Sequence, residues 1–340
     1  MNGARQLNNF DMIRLFAAVN VMALHVAGHL GRDISVLHDV LDPFPGVPIF
    51  FVVSGFLISR SWERFPDWRQ YLKNRALRIY PALWVCLVLS VVSVVATGYV
   101  IDAPRSTLLV WVVGQLTFGQ FITPAFMQGY GAGILNGSLW TIPIELQFYL
   151  LLPLLLSWRP LVWLAAGASL VAYATVRDAS LTLPGGLVMP MQVTLLPNFY
   201  MFALGILLAR YFERLQRYLI GRAHWWLLGY AAAAIVGYSL GARVGTNAPN
   251  PLLMVLLGAL VISCAYTLPE LGQRLLRGQD ISYGIYIYHM VVTNFLIETH
   301  VDSFWLAVLL TVLLAIASWY AIERPALSLK HLSLRGVLES

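Results

Sequence analysis

The stretch FDMIRLFAAVNVMALHVAGHL, residues 10–30, decides the class of this protein. It is long and apolar enough to cross a bilayer as one helix, yet it carries Arg14 and His25. These two lie close to three helical turns apart, so their side chains share a face, separated by about 16 Å along the axis. A titratable imidazole at membrane depth is costly and marks a functional site facing the bundle interior. The bland alternative is a polar residue that joins helices. His25, His29 and Asp33 also follow one another at i+4, a spacing that can hold a metal. Asp33 belongs to the loop beyond the helix, and no third strong ligand accompanies them, so no metal is expected.

The rest of the chain repeats the pattern. Of 340 residues, 59% are hydrophobic and only 11% charged, where a soluble domain carries about 25% charge. The fold expected is all-α, a polytopic membrane helix bundle formed by one domain, residues 1–340. Apolar spans read at 11–30, 46–60, 81–99, 138–157, 160–176, 194–210, 224–241, 251–268, 282–299 and 303–322. With a cytoplasmic N-terminus, all of the 22 Lys and Arg residues fall inside except Arg32, Arg105, Arg177 and Arg243. Counting 106–122 (STLLVWVVGQLTFGQFI) as another span would destroy that bias, so it reads as a re-entrant or interfacial segment on the outer side. Both termini are then cytoplasmic. The polar start MNGARQLNNFD is not expected to act as a signal peptide. Cys86 and Cys264 sit in apolar runs and imply no disulfide framework. The net charge of +6 follows from the inside bias and implies membrane lipid, with no nucleic acid as a partner.

Several segments carry chemistry. The stretch 60–81, RSWERFPDWRQYLKNRALRIYP, holds Lys73, Arg75 and Arg78. Arg75 and Arg78 are i, i+3 on a short helix and can converge on one anion; guanidinium forks suit phosphate oxygens. The competing reading is a basic helix lying on anionic lipid heads. Tyr80-Pro81 is expected to open the third span. Glu145 lies among apolar residues, with Trp140, Phe148 and Tyr149 at helical spacing around it; a carboxylate there needs a partner or a proton. In ISYGIYIYHMVV, 281–292, Ser282, Tyr286 and His289 share a face. An aromatic belt would explain the tyrosines, but His289 lies deeper. Glu323-Arg324-Pro325 closes the last span, and Pro325 is expected to end its helix.

These segments together resemble the acyltransferase 3 family, membrane enzymes that acylate carbohydrates. The matching elements run in order from Asp11-x-x-Arg14-x10-His25 through GVPIFFVVSGFLI (46–58), Arg75-x-x-Arg78-Ile79-x-Pro81, GSLWTIPIELQFY (137–149) and SYGIYIYH (282–289) to the closing ERP. The resemblance implies about ten helices and an acyl-CoA donor on the cytoplasmic side of the cell inner membrane. It implies an O-acetylation type of reaction, with acetyl-CoA or another acyl-CoA as donor substrate. The acceptor would be a carbohydrate hydroxyl on an exported polysaccharide or glycolipid. It makes His25 the catalytic histidine, with Arg14 essential beside it and Arg75 and Arg78, aided by Lys73, holding the donor. Glu145 would orient a partner or balance charge. Trp140, Tyr149, Ser282, Tyr286 and His289 become candidate substrate contacts. No hydrolase-like domain of the kind some relatives carry is expected here, so the chain resembles the stand-alone class. A transporter or flippase that relays protons through His25, Glu145 and His289 is the competing class, but it leaves the basic cluster without a task.

Overall fold

The computed structural model describes residues 8–177 and 191–331. Arg5 and Arg335, counted above among the inside charges, lie outside the described residues. Described residues form helices and connecting turns, with no strand among them. In order the helices are α1 Phe10–His29, α2 Ser35–Leu41, α3 Gly46–Arg64, α4 Trp68–Ala96 and α5 Arg105–Leu116. There follow α6 Thr141–Ser157, α7 Arg159–Arg177, α8 Phe199–Arg210, α9 Phe212–Leu219 and α10 Ala223–Ser239. The last are α11 Pro251–Tyr266, α12 Glu270–Leu276, α13 Ser282–Glu298, α14 Phe304–Ser318 and α15 Arg324–Ser328.

Every expected span coincides with a helix, but not all are long enough to cross alone. By length and composition six helical segments among the described residues can cross a membrane, or up to eight if two bent pairs each form one span. Those pairs are α9 with α10, bent by 85°, and α11 with α12, bent by 71°. The segments expected at 194–210 and 282–299 are shorter helices, so ten is an approximate count. α5 has 12 residues, about 18 Å of rise, which cannot cross a hydrocarbon core of about 30 Å. Its buried faces, Trp111 and Gln115, turn towards the loop that follows.

Two proline expectations are corrected. Pro81 does not open a helix: α4 runs unbroken through it for 29 residues. Arg60 and Arg64 therefore end α3, while Arg69, Lys73, Arg75 and Arg78 lie in the first turns of the next span itself. Asp67 caps it by accepting from the Gln70 N–H at 2.9 Å. α13 buttresses the backbone around the proline, with the Tyr283 hydroxyl donating to the Ile79 carbonyl at 3.0 Å. Nor does Pro325 end a helix. A π-helical turn, Trp319–Glu323, follows α14, and Pro325 sits in the first turn of α15, where its missing N–H costs nothing.

α13 is the centre of the bundle. It is buried on nearly every face, and α1, α4 and α14 pack against it. Small residues bring backbones together, as lipid-embedded helices require. A Cβ at Gly55 on α3 would run into the Phe202 carbonyl of α8, and one at Gly205 on α8 into the Val52 carbonyl of α3. Beside this contact the Phe202 ring is stacked between Phe51, at 4.4 Å, and Phe148, at 4.2 Å.

Gly55→Ala and Gly205→Ala should therefore each destabilise the protein by about 1–3 kcal/mol through overpacking. Gly229→Ala on α10, where an added Cβ meets nothing within 4 Å, should be neutral or slightly stabilising through helix propensity. Thermal melts of the three variants in one detergent compare them directly.

Candidate active site

The site is assembled on α13 from both ends. At its start, the α12 helix ends in a left-handed Arg277-Gly278 turn (φ 50° and 76°) that delivers Asp280 into the bundle. Asp280 Oδ1 accepts the Ser282 backbone N–H at 3.2 Å and the Ser282 hydroxyl. That leaves Oδ2 for two cations. Arg14 Nη1 on α1 donates to it at 2.5 Å and Arg78 Nη2 on α4 at 2.6 Å. Arg78 Nη1 also stands 3.9 Å from Glu323 Oε2. Burial by itself would raise the Asp280 pKa, but the guanidinium groups of Arg78 and Arg14 and the Ser282 hydrogen bonds hold it well below the usual carboxylate range.

Next to this knot lies a cavity of about 270 Å³. Arg14, Arg75, Arg78 and Lys330 reach its wall, with Glu145 and Tyr149 from α6 and Ser282 and Tyr286 from α13. Arg75 lies over the rings of Tyr71 (6.0 Å) and Tyr149 (5.8 Å). Its buried Nε donates to no protein atom, so the wall offers a planar cation with a hydrogen bond to spare. Glu145 accepts from the Tyr149 hydroxyl at 2.5 Å and the Ser54 hydroxyl at 3.0 Å. The cavity's balance is strongly positive, which suits an anion.

One turn beyond Tyr286 the second cluster begins. His25 Nδ1 of α1 lies 3.0 Å from His289 Nε2 of α13. His289 Nδ1 lies 3.1 Å from the Ile285 carbonyl of its own helix. His289 is fully buried and His25 half-buried. Thus Arg14 and His25 do share the face of α1 that meets α13. His29 is exposed, with its ring centroid 6.0 Å from that of His25. Asp33 is engaged instead with the Ser35 N–H at 2.8 Å. Among the described residues no group of three or more His, Cys, Asp or Glu side chains is placed to hold a metal.

Of the residues singled out in the sequence, Arg14, Arg75, Arg78, Glu145, Tyr149, Ser282 and Tyr286 come together on the cavity wall. Lys73 and Trp140 do not reach it. Lys73 is half-buried on another face of α4, and Trp140 belongs to the 3-10 turn Gly137–Trp140 that precedes α6. His289 meets His25 rather than the cavity. Asp280, Glu323 and Lys330 have structural parts that sequence reading did not give them. For Asp280 a signal existed: arginines set within or beside apolar spans, Arg14 and Arg78 among them, need an acid, and this one stands just before the apolar span that opens at Ser282. Nothing local marks Lys330, whose carbonyl is tied to Gln70 Nε2 at 2.7 Å.

The sequence model of the acyltransferase 3 family, described as an acyltransferase domain, matches residues 7–324. The chain belongs to that family. It is 36% identical to nodulation protein 10 of Rhizobium leguminosarum bv. viciae, over 95% of this chain and 94% of that one. It is 25% identical to the O-acetyl transferase of Shigella phage Sf6, over 93% and 95%. The O-acetyltransferase OatA of Staphylococcus aureus is 26% identical over 46% of this chain and 26% of its own length. No solved structure matches the chain.

Removing Asp280 leaves two arginines facing each other in a buried site. Asp280→Ala should destabilise by about 3–5 kcal/mol, the usual result of orphaning a buried ion-pair partner. Because the folded pKa lies below the unfolded value of about 3.9, the Asp280 contribution is fully present above that value. It is lost only as pH falls through the folded one. Melts of Asp280→Asn and the wild type should keep a constant gap from pH 7 down to about pH 4 and only begin to narrow towards pH 3.

Proposed function

We propose that the protein is an O-acyltransferase of the inner membrane that moves an acyl group, acetyl in the first instance, from cytoplasmic acyl-CoA to a carbohydrate hydroxyl. One observation carries this reading: a cavity walled by Arg14, Arg75, Arg78 and Lys330 ends one helical turn from the His25–His289 pair. Coenzyme A brings a diphosphate and a further phosphate, and arginine forks are the natural partners of such oxygens. The names of the phage and staphylococcal relatives support acetyl as the group. The side bias of Lys and Arg supports cytoplasmic termini and entry of the donor from that side.

In the proposed reaction Arg75, Arg78 and Lys330 hold donor phosphates, and the acyl-thioester reaches towards His25. The acceptor hydroxyl gives its proton to His25 while its oxygen bonds to the thioester carbonyl carbon. The carbon–sulfur bond breaks, and the sulfur takes the proton back from His25. Ester and free thiol are the products, and no other reactant is needed. Asp280 fixes Arg14 and Arg78 in place. Glu145 fixes Tyr149 beneath Arg75. Ser282 and Tyr286 line the path between phosphates and histidines. Residues 1–340 act in this reaction as one catalytic domain.

Purified protein should release thiol from acetyl-CoA when given host surface glycans. His25→Ala should still insert and fold, but release should fall by about 10²–10⁴-fold, the usual cost of a lost general base. Undiminished release would remove His25 from the chemistry.

Lys330 supplies a pH signature. Burial, and then repulsion from Arg75, Arg78 and Arg14, lowers its pKa to about 8. A bound anion favours the ammonium form. Donor affinity should therefore weaken as pH rises past about 8, and Lys330→Met should bind more weakly at pH 7 and show no such decline. Calorimetric titration with coenzyme A between pH 7 and 9 reads both.

A further inference from the structure

His289 is the most completely buried ionisable side chain beside the proposed base, and the reaction as written leaves it without a task. Its surroundings define one. The Ile285 carbonyl, 3.1 Å from His289 Nδ1, can only accept. Hence Nδ1 carries the hydrogen. The opposite tautomer would set two lone pairs against each other at that distance. Among the described residues no carboxylate pairs with either ring, so an imidazolium at His289 would be a buried cation without a counter-ion. In the neutral ring, Nε2 is then a lone pair, and it faces His25 Nδ1 at 3.0 Å. A lone pair needs a donor, so His25 must hold its hydrogen on Nδ1. That leaves His25 Nε2 free to accept a proton.

We propose that His289 is a positioning residue that fixes the tautomer of His25, so that Nε2 of His25 is the atom that takes the acceptor's proton. The inference rests on the reading of His25 as general base. The relay is directional and anchored in the backbone. It runs from His25 Nδ1–H to His289 Nε2, and from His289 Nδ1–H to the Ile285 carbonyl. When Nε2 of His25 is protonated, the same contact lets the neutral His289 lone pair stabilise the charge on His25. An imidazole held in the wrong tautomer costs a serine protease about 10⁴ in kcat. This arrangement guards against that loss with a second histidine in place of a carboxylate, which suits a site where a buried anion would itself need a partner. The role also differs from substrate contact, the task expected of His289 from sequence. A residue that only bound substrate would show itself in KM.

The test compares His289→Leu, His289→Gln and His25→Ala for acetyl-CoA turnover. Thermal melts report folding, and nitrogen-15 NMR of labelled histidines in detergent reports the His25 tautomer. In His289→Leu, kcat should fall by about 10²-fold or more, with KM for donor and glycan little changed. His25 should shift away from the Nδ1–H form. In His289→Gln the amide oxygen can accept from His25 Nδ1, so most turnover and the Nδ1–H signature should return. A His25 carrying its hydrogen on Nε2 in the wild type would overturn the inference without reference to activity. So would a rise in KM alone in His289→Leu, or a Gln variant as impaired as Leu while folded. Loss in His25→Ala with normal turnover in His289→Leu would overturn the tautomer inference and leave the base intact. Normal turnover in His25→Ala would overturn the base itself, and the NMR signature would still decide the tautomer.

Discussion

The structure depends on one carboxylate oxygen. Asp280 Oδ2 receives both Arg14 and Arg78, and so ties α1 and α4 to the start of α13. Such a knot is not a large source of net stability, because desolvating three charges offsets much of their attraction. Its effect is on register. Two arginines that would otherwise repel are held at fixed positions, and sliding any of the three helices by a turn would strand a charge in apolar surroundings. Ser282 completes the knot by occupying the other oxygen, which leaves Asp280 no freedom to choose other partners.

From that fixed point the rest of α13 is placed. Its far end is held by a second polar tether. Asn294 Nδ2 donates to the Ile134 and Leu135 carbonyls at 3.0 and 2.9 Å. Its Oδ1 accepts from the Ala132 N–H at 2.9 Å, and Glu298 accepts from the Gly131 N–H at 2.7 Å. The loop before α6 is thereby anchored to the helix that carries His289. Side chains satisfy its irregular backbone, as burial at membrane depth demands. With both ends pinned, the histidine pair lies between two anchored points of the helix. That is where a proton-transfer geometry must be kept to a fraction of an ångström.

The cavity shows a division of labour between rigid and adaptable charge. Arg14 and Arg78 are already paired, so they supply a field without moving. Arg75 is held by ring faces and keeps a free hydrogen bond. Lys330 approaches from the turn after α15, far away in sequence, and its charge is weakened by its neighbours. An anion entering here meets a preformed positive wall.

The sequence by itself determined the class and most of the helices. Hydropathy is a local property, and segments such as 10–29 and 304–318 are apolar enough to declare themselves one by one. It also marked Arg14, His25, Arg75, Arg78 and Glu145, because ionisable groups in apolar runs are costly wherever they end up. What it did not determine was partnership. Arg14 finds Asp280 across 266 positions and His25 finds His289 across 264. α13 mixes apolar and polar residues on nearly every side, so no periodic face shows which neighbours it will meet. The proline readings at 81 and 325 failed for a related reason. Local rules end a helix at proline, but tertiary contacts and a π-turn carried the chain through. Only packing selects among residues whose intrinsic preferences are alike. The pairing of Arg14 and Arg78 with Asp280 and of His25 with His289 therefore belongs to the tertiary structure, where distance and burial decide which polar atoms must satisfy one another.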